Sequence, residues 1–384
     1  MDNLTHSLVG LAAAKAGMER WSPGATAVCV LAANAPDIDI LAALGGRWFY
    51  LHNHRGITHS IVGTLALALL IPALFYAADA VYAKVRRRHR RVKFGGLLLA
   101  SLILGASHPL MDWTNNYGVR PLLPWSGRWY YGDLCFIADP WIWLTVGGAS
   151  FLLTSKSTRQ KIFWSALALL LTVLVFLFPL ENAGLAYPNL FRVLWVAAIL
   201  ALIFTRGTTP LVSRFGSKIA LAALALVIVY WGGLALAHRA ALSKAEAVAE
   251  NMAARNNEKL GRVAAMPVLA DPFRWQCAAD TDGSTYRFYV SLTGGDEDST
   301  GTPFRFEKPR GQEAAAVARA SLDERARVFL DFARFPAESV EGDCLSGLLV
   351  EFADLRYTEP SRSRRGTFAL NVAVDCDQER EEKR

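Results

Sequence analysis

Apolar residues run in long blocks as far as about residue 238 and are mixed with polar ones beyond it. A helix needs about 20 mostly apolar residues to cross a bilayer. Stretches of that kind lie near 60–83, 94–112, 162–180, 190–205 and 219–238, with a weaker one near 139–153. The segments 4–18 and 24–35 are apolar but short. They fit either tilted spans or a re-entrant hairpin covered by other helices. Residues 240–264 carry Ala, Glu, Lys, Arg and Leu in a helical pattern, as a linker helix leaving the membrane would. Beyond it, Arg274–Asp280, Tyr286–Leu292, Leu348–Tyr357 and Thr367–Cys376 alternate as strands do. Ala314–Phe335 reads as one helix, with Ala318, Leu322, Ala326, Phe329 and Ala333 along one side. The pattern predicts a mainly α protein: a polytopic helical membrane domain over 1–239, the linker over 240–264 and a small α+β domain over 265–384.

Charge adds direction to these elements. Much of the net charge of +7 sits in the run Lys84-Val85-Arg86-Arg87-Arg88-His89-Arg90-Arg91-Val92-Lys93, directly between two apolar blocks. A short basic loop in that place is cytoplasmic by the positive-inside rule. The loops with Lys156, Arg159 and Lys161, and with Arg206, Arg214 and Lys218, are then cytoplasmic too, and single spans between them agree. Loops 113–138 and 181–189, and everything after 238, fall outside, which makes the α+β domain extracytoplasmic. Trp113, Trp125, Trp129, Tyr130, Tyr131, Trp141 and Trp143 would form an outer interfacial belt or line a substrate groove. No aromatic or glycine pattern accompanies the basic run, so a nucleic-acid partner is not expected. The start Met1-Asp2-Asn3 lacks a basic n-region, so no cleavable signal peptide of the usual form is expected. Cys277, Cys344 and Cys376 allow at most one internal disulfide, with Cys277–Cys376 preferred because both lie in predicted strands. The C-terminal domain has no histidine, and its expected roles are substrate capture, site cover or partner binding.

The chemistry gathers elsewhere. Six of the seven histidines lie in the first 112 residues. The motifs are Leu4-Thr5-His6-Ser7-Leu8-Val9-Gly10, Asn34-Ala35-Pro36-Asp37-Ile38-Asp39, His52-Asn53-His54-Arg55-Gly56-Ile57-Thr58-His59-Ser60 and Ser107-His108-Pro109-Leu110-Met111-Asp112. His59 opens one span and His108 and Asp112 close the next, so they meet at one membrane depth. His108 and Asp112 are four apart, on one side of a helix. Imidazole and carboxylate together suit zinc and related divalent ions. Taken singly, Thr5, Ser7, Thr58 and Ser60 could be helix caps, and Pro36-Asp37 a helix stop. Their convergence at one face is what favours a site.

The run Leu4-Thr5-His6-Ser7-Leu8-Val9-Gly10 is echoed by Ile57-Thr58-His59-Ser60-Ile61-Val62-Gly63. Each copy opens an apolar helix, and each is followed by a second one that ends at Pro and Asp. This predicts two related hairpins, each giving a His at its start and an Asp at its end.

Thr5-His6-Ser7, Pro36-Asp37-Ile38-Asp39, His54-Arg55-Gly56-Ile57-Thr58-His59-Ser60 and His108-Pro109-Leu110-Met111-Asp112 resemble the inner-membrane metal-dependent hydrolase family, the YdjM-like proteins, over about residues 1–150. The His-x-x-x-Asp element is also distantly similar to one in zinc-dependent phospholipase C. The further C-terminal His and Glu ligands of those enzymes have no clear match here. The resemblance implies a multi-pass protein of a bacterial-type inner membrane with a divalent metal, zinc first, as one to three ions. It makes a metal-dependent hydrolase the leading expectation, with a membrane lipid or another phosphoester as substrate at the outer face. The metal candidates are His6, Asp37, Asp39, His54, His59, His108 and Asp112. Asp37 and Asp39 are also candidates for catalysis. So is Arg55, which could bind an anionic oxygen or simply pair with an Asp. The alternatives are a non-enzymatic membrane protein with a structural or sensing metal site, and a transporter. The last is disfavoured because the cluster lies at span ends rather than at the bilayer midplane.

Overall fold

Among the described residues of the protein, here a computed structural model, six helical stretches are long and apolar enough to cross a membrane: Ala25–Gly45, Ile61–Val85, Phe94–Trp113, Thr158–Leu177, Asn189–Thr208 and Lys218–Arg255. The structure describes residues 1–177, 189–208, 210–294, 303–343, 347–358 and 368–374. The five strong stretches of the sequence each correspond to one of these helices. The short segment at 24–35 becomes a sixth. Its α-helix, α2 (Ala25–Asn34), runs on into a tighter 3₁₀ stretch, Ala35–Gly45. The segment at 4–18 forms α1 (Asn3–Ala16), and the weak stretch at 139–153 forms an apolar helix, Pro140–Thr154. The next helices are α3 (Arg47–Asn53), α4 (Ile61–Val85) and α5 (Phe94–Trp113). A 3₁₀ turn, Ile57–His59, precedes α4.

By contacts the chain divides into two compact units. The first comprises Met1–Ile40, Arg55–Leu236 and Pro267–Pro272. In lipid, helices gain little from burying apolar surface against each other, so small residues that let backbones approach become important. Ala13, Ala14, Cys29, Ala32, Ala33, Ala100 and Leu104 bring α1, α2 and α5 together in this way. Gly10 belongs to the same seam: a Cβ there would lie 2.8 Å from the Cys29 carbonyl oxygen. At the far end of α4, Asp79 accepts hydrogen bonds from Arg88 Nη2 and from the amides of Arg91 and Val92. The basic run is thereby folded back onto the helix that precedes it.

The loop after α5 is tied to the same end of the unit as the candidate site. The amides of Leu134 and Cys135 donate to the Thr114 carbonyl, and the Ile61 amide donates to the Pro121 carbonyl. Trp143, expected in an outer belt, is instead buried. Its Nε1–H donates to Thr5 Oγ1 at 3.0 Å, beside the start of α1. A buried indole needs an acceptor, and the capped first turn of α1 supplies one.

The second unit holds Leu41–His54, Ala237–Met266 and Phe273–Arg384. It contains two small antiparallel sheets and helices. Strands β1 (Leu260–Val268), β2 (Asp271–Thr281), β3 (Ser284–Ser291) and β4 (Phe304–Glu307) pair in that order. In the other sheet, β5 (Pro336–Asp343), β6 (Gly347–Asp354) and β7 (Ala369–Val374) do the same. The predicted strands correspond to β2, β3, β6 and β7. The strands β1, β4 and β5 were not anticipated. The single helix expected over Ala314–Phe335 is two, Gln312–Ala320 and Glu324–Phe332. Asp323 breaks it, because its side chain accepts from the Arg325 amide and caps a new helix. Leu322 is consequently exposed instead of facing inward.

The last span does not hand over to a separate linker helix. Lys218–Arg255 is one continuous helix, and its Ala241, Ala245 and Ala249 pack on Trp275, Cys277 and Phe288. Cys277 is buried and free. Its proposed partner Cys376, like Cys344, lies outside the described residues.

Glu258 joins the end of this helix to the sheet. Its carboxylate accepts from Thr281 Oγ1 at 2.7 Å, Ser284 Oγ at 2.8 Å, Tyr286 OH at 2.8 Å and Arg305 Nη2 at 2.7 Å. Burial pushes its pKa up, but these donors outweigh it and hold the group at about 2, below the ordinary 4.5. A depressed carboxylate pKa contributes stability above the unfolded value and loses it as pH falls through the folded one. The β2–β3 amides should therefore exchange hydrogen progressively faster as pH drops from about 4.5 toward 2, beyond the intrinsic pH effect. Glu258→Ala should show that loss already at neutral pH, costing about 3 kcal/mol.

Candidate metal centre

Four segments of the first unit converge on one point. They are the first turn of α1, the 3₁₀ stretch after α2, the turn before α4 and the last turn of α5. Asp37, His59, His108 and Asp112 form a group that could hold a metal ion, each offering one ligand atom, all within 4.8 Å of one another. His59 Nε2 and His108 Nε2 are 3.1 Å apart. Asp37 Oδ1 lies 3.4 Å from each of these nitrogens, and Asp112 Oδ2 lies 3.1 Å from the first and 3.4 Å from the second. The side chains of His59, His108 and Asp112 are at most 1% exposed, whereas Asp37 is 15% exposed. Asp37 is thus the member nearest to solvent.

Each of the four is also held from behind. The Asp39 carboxylate lies 3.2 Å from His59 Nδ1. It also accepts from the Arg55 amide at 2.8 Å and from Thr58 Oγ1 at 3.4 Å. The Ala33 carbonyl is 2.6 Å from His108 Nδ1. An acceptor at Nδ1 puts the proton there and leaves Nε2 with a lone pair facing inward. Asn3 Nδ2 donates to Asp37 Oδ2 at 2.8 Å, turning Oδ1 toward the histidines. Arg55 Nη2 donates to Asp112 Oδ1 at 3.2 Å. The terminal amine of Met1 also pairs with that oxygen.

Arg55 itself is buried against the cluster. It is 2% exposed and pairs with an aspartate. Its Nη1 donates to Asn115 Oδ1 at 2.9 Å, and its guanidinium lies 4.8 Å over the Tyr117 ring. Its backbone has φ 51°, a left-handed value that turns the amide toward Asp39 and the side chain toward Asp112. His6 stacks on His108 with ring centroids 3.8 Å apart, and its Nε2 is 3.3 Å from Asp112 Oδ1. The two-hairpin reading required His6 and Asp37 to be close. Both lie against His108, so that condition is met. The echo differs in detail: Ser60 caps α4 directly, while Asp2 caps α1 and His6 stands inside the helix.

Of the residues singled out in the sequence, the structure brings together His6, Asp37, Asp39, Arg55, His59, His108 and Asp112. His54 falls in the other compact unit, at the end of α3, with its ring stacked on Tyr50 at 4.7 Å. Sequence reasoning missed Asn3, Asn115 and the Ala33 carbonyl. Asn3 gave a usable signal, since it stands three residues before His6 in the same helical turn. A backbone carbonyl gives none.

The fold and this cluster define a polytopic helical membrane protein with a buried His/Asp site that could hold a metal ion. Residues 1–183 match the model of the YdjM inner membrane protein family. A relative is the uncharacterized protein YfhP of Bacillus subtilis, 30% identical over 153 residues. That match covers 38% of this chain and 44% of the relative. No solved structure matches the chain. The family places the protein in an inner membrane, as a multi-pass protein.

Two substitutions probe the support of the cluster rather than its ligand atoms. Asp39→Asn should weaken metal affinity about 10–100-fold with all four candidate ligands intact, measured by competition with a chromogenic chelator. A Cβ at Gly63 would lie 1.8 Å from the Ile57 carbonyl oxygen, inside the turn that presents His59. Gly63→Ala should therefore lose metal as well, whereas Gly95→Ala, where a Cβ meets nothing within 4 Å, should not.

Proposed function

We propose that this protein is a membrane-bound metal-dependent hydrolase that cleaves a phosphoester or lipid substrate at the outer face of the inner membrane. Asp37, His59, His108 and Asp112 would hold a divalent ion, zinc by preference. One observation carries this reading: four electron-pair donors converge while the opposite atom of each is tied to a partner. Two imidazole nitrogens at 3.1 Å that both carry lone pairs repel unless a cation stands between them. A tetrahedral zinc site with bonds of about 2.0–2.1 Å has donor–donor edges of about 3.3–3.4 Å. The spacings of 3.1–3.4 Å fit that figure. Asp112 Oδ2 is buried without a hydrogen-bond partner among the described residues, as a ligand atom awaiting an ion would be.

The same geometry favours one ion. Asp112 Oδ1 faces His6 but already pairs with Arg55, which a second cation there would have to displace. When bound, the ion would supply a Lewis acid, and an acidified water where its coordination expands to a fifth position or Asp37 gives up its place. Hydrolysis adds that water across the ester: its oxygen goes to phosphorus, and the ester oxygen departs with a proton. The roles of the protein groups then separate. Asp37, the most accessible ligand, borders the substrate side. Asp39 orients His59, and Arg55 balances the charge on Asp112. The site stands at the start of α4 and the basic run at its end, so the two are about 37 Å apart along the helix. With the basic run cytoplasmic, the site faces outward.

A second reading has support in the burial of His59, His108 and Asp112 and in the presence of four protein ligands, which is how structural ions are held. Metal per chain, measured on protein purified in detergent, separates the possibilities together with turnover of a chromogenic phosphodiester. About one ion per chain is expected, lost with turnover in the double variant His108→Ala, Asp112→Ala. Metal without turnover would establish the structural alternative, and no metal in either form would remove both readings. A reporter fused after residue 238 should be extracytoplasmic. A cytoplasmic reporter would move the site to the other face.

A further inference from the structure

Beside the metal centre, a cavity of about 520 Å³ opens between α4 and α5. That volume is in the range of small-molecule sites, roughly 300–1,000 Å³. Its composition is unusual for one. Ile61, Leu65 and Ala68 line it from α4, and Leu102, Ala106 and Leu110 from α5. These residues recur at helical spacing, so each row runs along the helix axis for about 10 Å. Thr64, the polar residue within the α4 row, turns its hydroxyl to the Thr58 carbonyl. His59 sits at one end of the slot, with Trp113 and Tyr130, and it is also a member of the metal group. One end of the slot therefore abuts the metal group through His59, and its hydrocarbon body leads along two membrane-spanning helices. Its flanks, including Leu65 and Leu110, are exposed on spans that lie in lipid.

We propose that the ligand of this site is a lipid phosphoester, with its phosphoester at Asp37, His59, His108 and Asp112 and its hydrocarbon chain in the α4–α5 slot. The inference rests on the hydrolase reading for its headgroup end only. A small water-soluble ester would leave the slot empty of the apolar contacts its walls offer. A chain running down α4 satisfies the walls and the cation together. Leu65 and Leu110 at the flanks of the slot are exposed on the spans, so such a ligand can reach it from the bilayer.

The test uses the full-length, zinc-loaded protein in phosphatidylcholine nanodiscs and a series of n-alkyl phosphates from butyl to dodecyl. Affinity, referred to the free aqueous ligand, should rise about fourfold per added methylene until the chain outgrows the slot. Ala106→Phe and Leu65→Phe place a ring in the slot from opposite helices, at exposed positions where folding is not at stake. Both should flatten that rise while binding zinc and inorganic phosphate as the unaltered protein does. Parallel slopes in the unaltered protein and both variants would overturn the slot. A specific slope with no turnover of any ester would overturn the hydrolase reading and leave the slot standing. Turnover of a chainless phosphodiester without a specific slope would do the reverse.

Discussion

The arrangement depends on the tethering of four donor groups from behind. Left to itself, a buried set of two imidazoles and two carboxylates at 3.1–3.4 Å would relax, by rotating side chains or by taking up protons. Here Asp39, the Ala33 carbonyl, Asn3 and Arg55 each hold one outer atom, and the inner atoms have nowhere else to point. Ionisable groups near a bilayer are expensive, and they persist where they are paired or coordinate something. Arg55 is the clearest expression of that cost. It is almost wholly buried, held by Asp112, Asn115 and the face of Tyr117, and brought there by a left-handed backbone.

Helix packing supplies the second condition. The ligands come from chain positions as far apart as 37 and 112, so the helices that carry them must approach closely. Gly10 and the alanines of α1, α2 and α5 permit this. Gly63 permits the turn before α4 to fold over its own helix. The two echoed sequences thus share more than a histidine. Each ends on a glycine that a backbone oxygen approaches, although one glycine serves a neighbouring helix and the other a turn.

Much of this could be read from the chain. Blocks of apolar residues marked the spans because bilayer thickness fixes their length. The spacing of His108 and Asp112 fixed their common side. What escaped had physical reasons. The segment after Asn34 carries a Pro and two Asp and reads as a stop, yet it continues as a 3₁₀ stretch that aims Asp37 and Asp39 inward. The choice between Arg55 binding an anion and pairing with an acid depends on a turn conformation that composition does not encode. In the C-terminal unit, the pattern over Ala314–Phe335 read as one helix, and Asp323 inside it caps a second one. Trp143 carried the signature of an interfacial residue, but a buried acceptor on Thr5 drew it inside.

No single segment of the chain carries the metal group. Asp37 follows the first hairpin, His59 precedes the second, and His108 with Asp112 closes it. A nascent chain therefore presents only isolated, weak donors until α5 has been inserted beside α4 and α2. Occupancy of the site is then coupled to helix assembly: whatever free energy an ion contributes falls entirely on the completed bundle, and a mis-inserted hairpin would receive none of it.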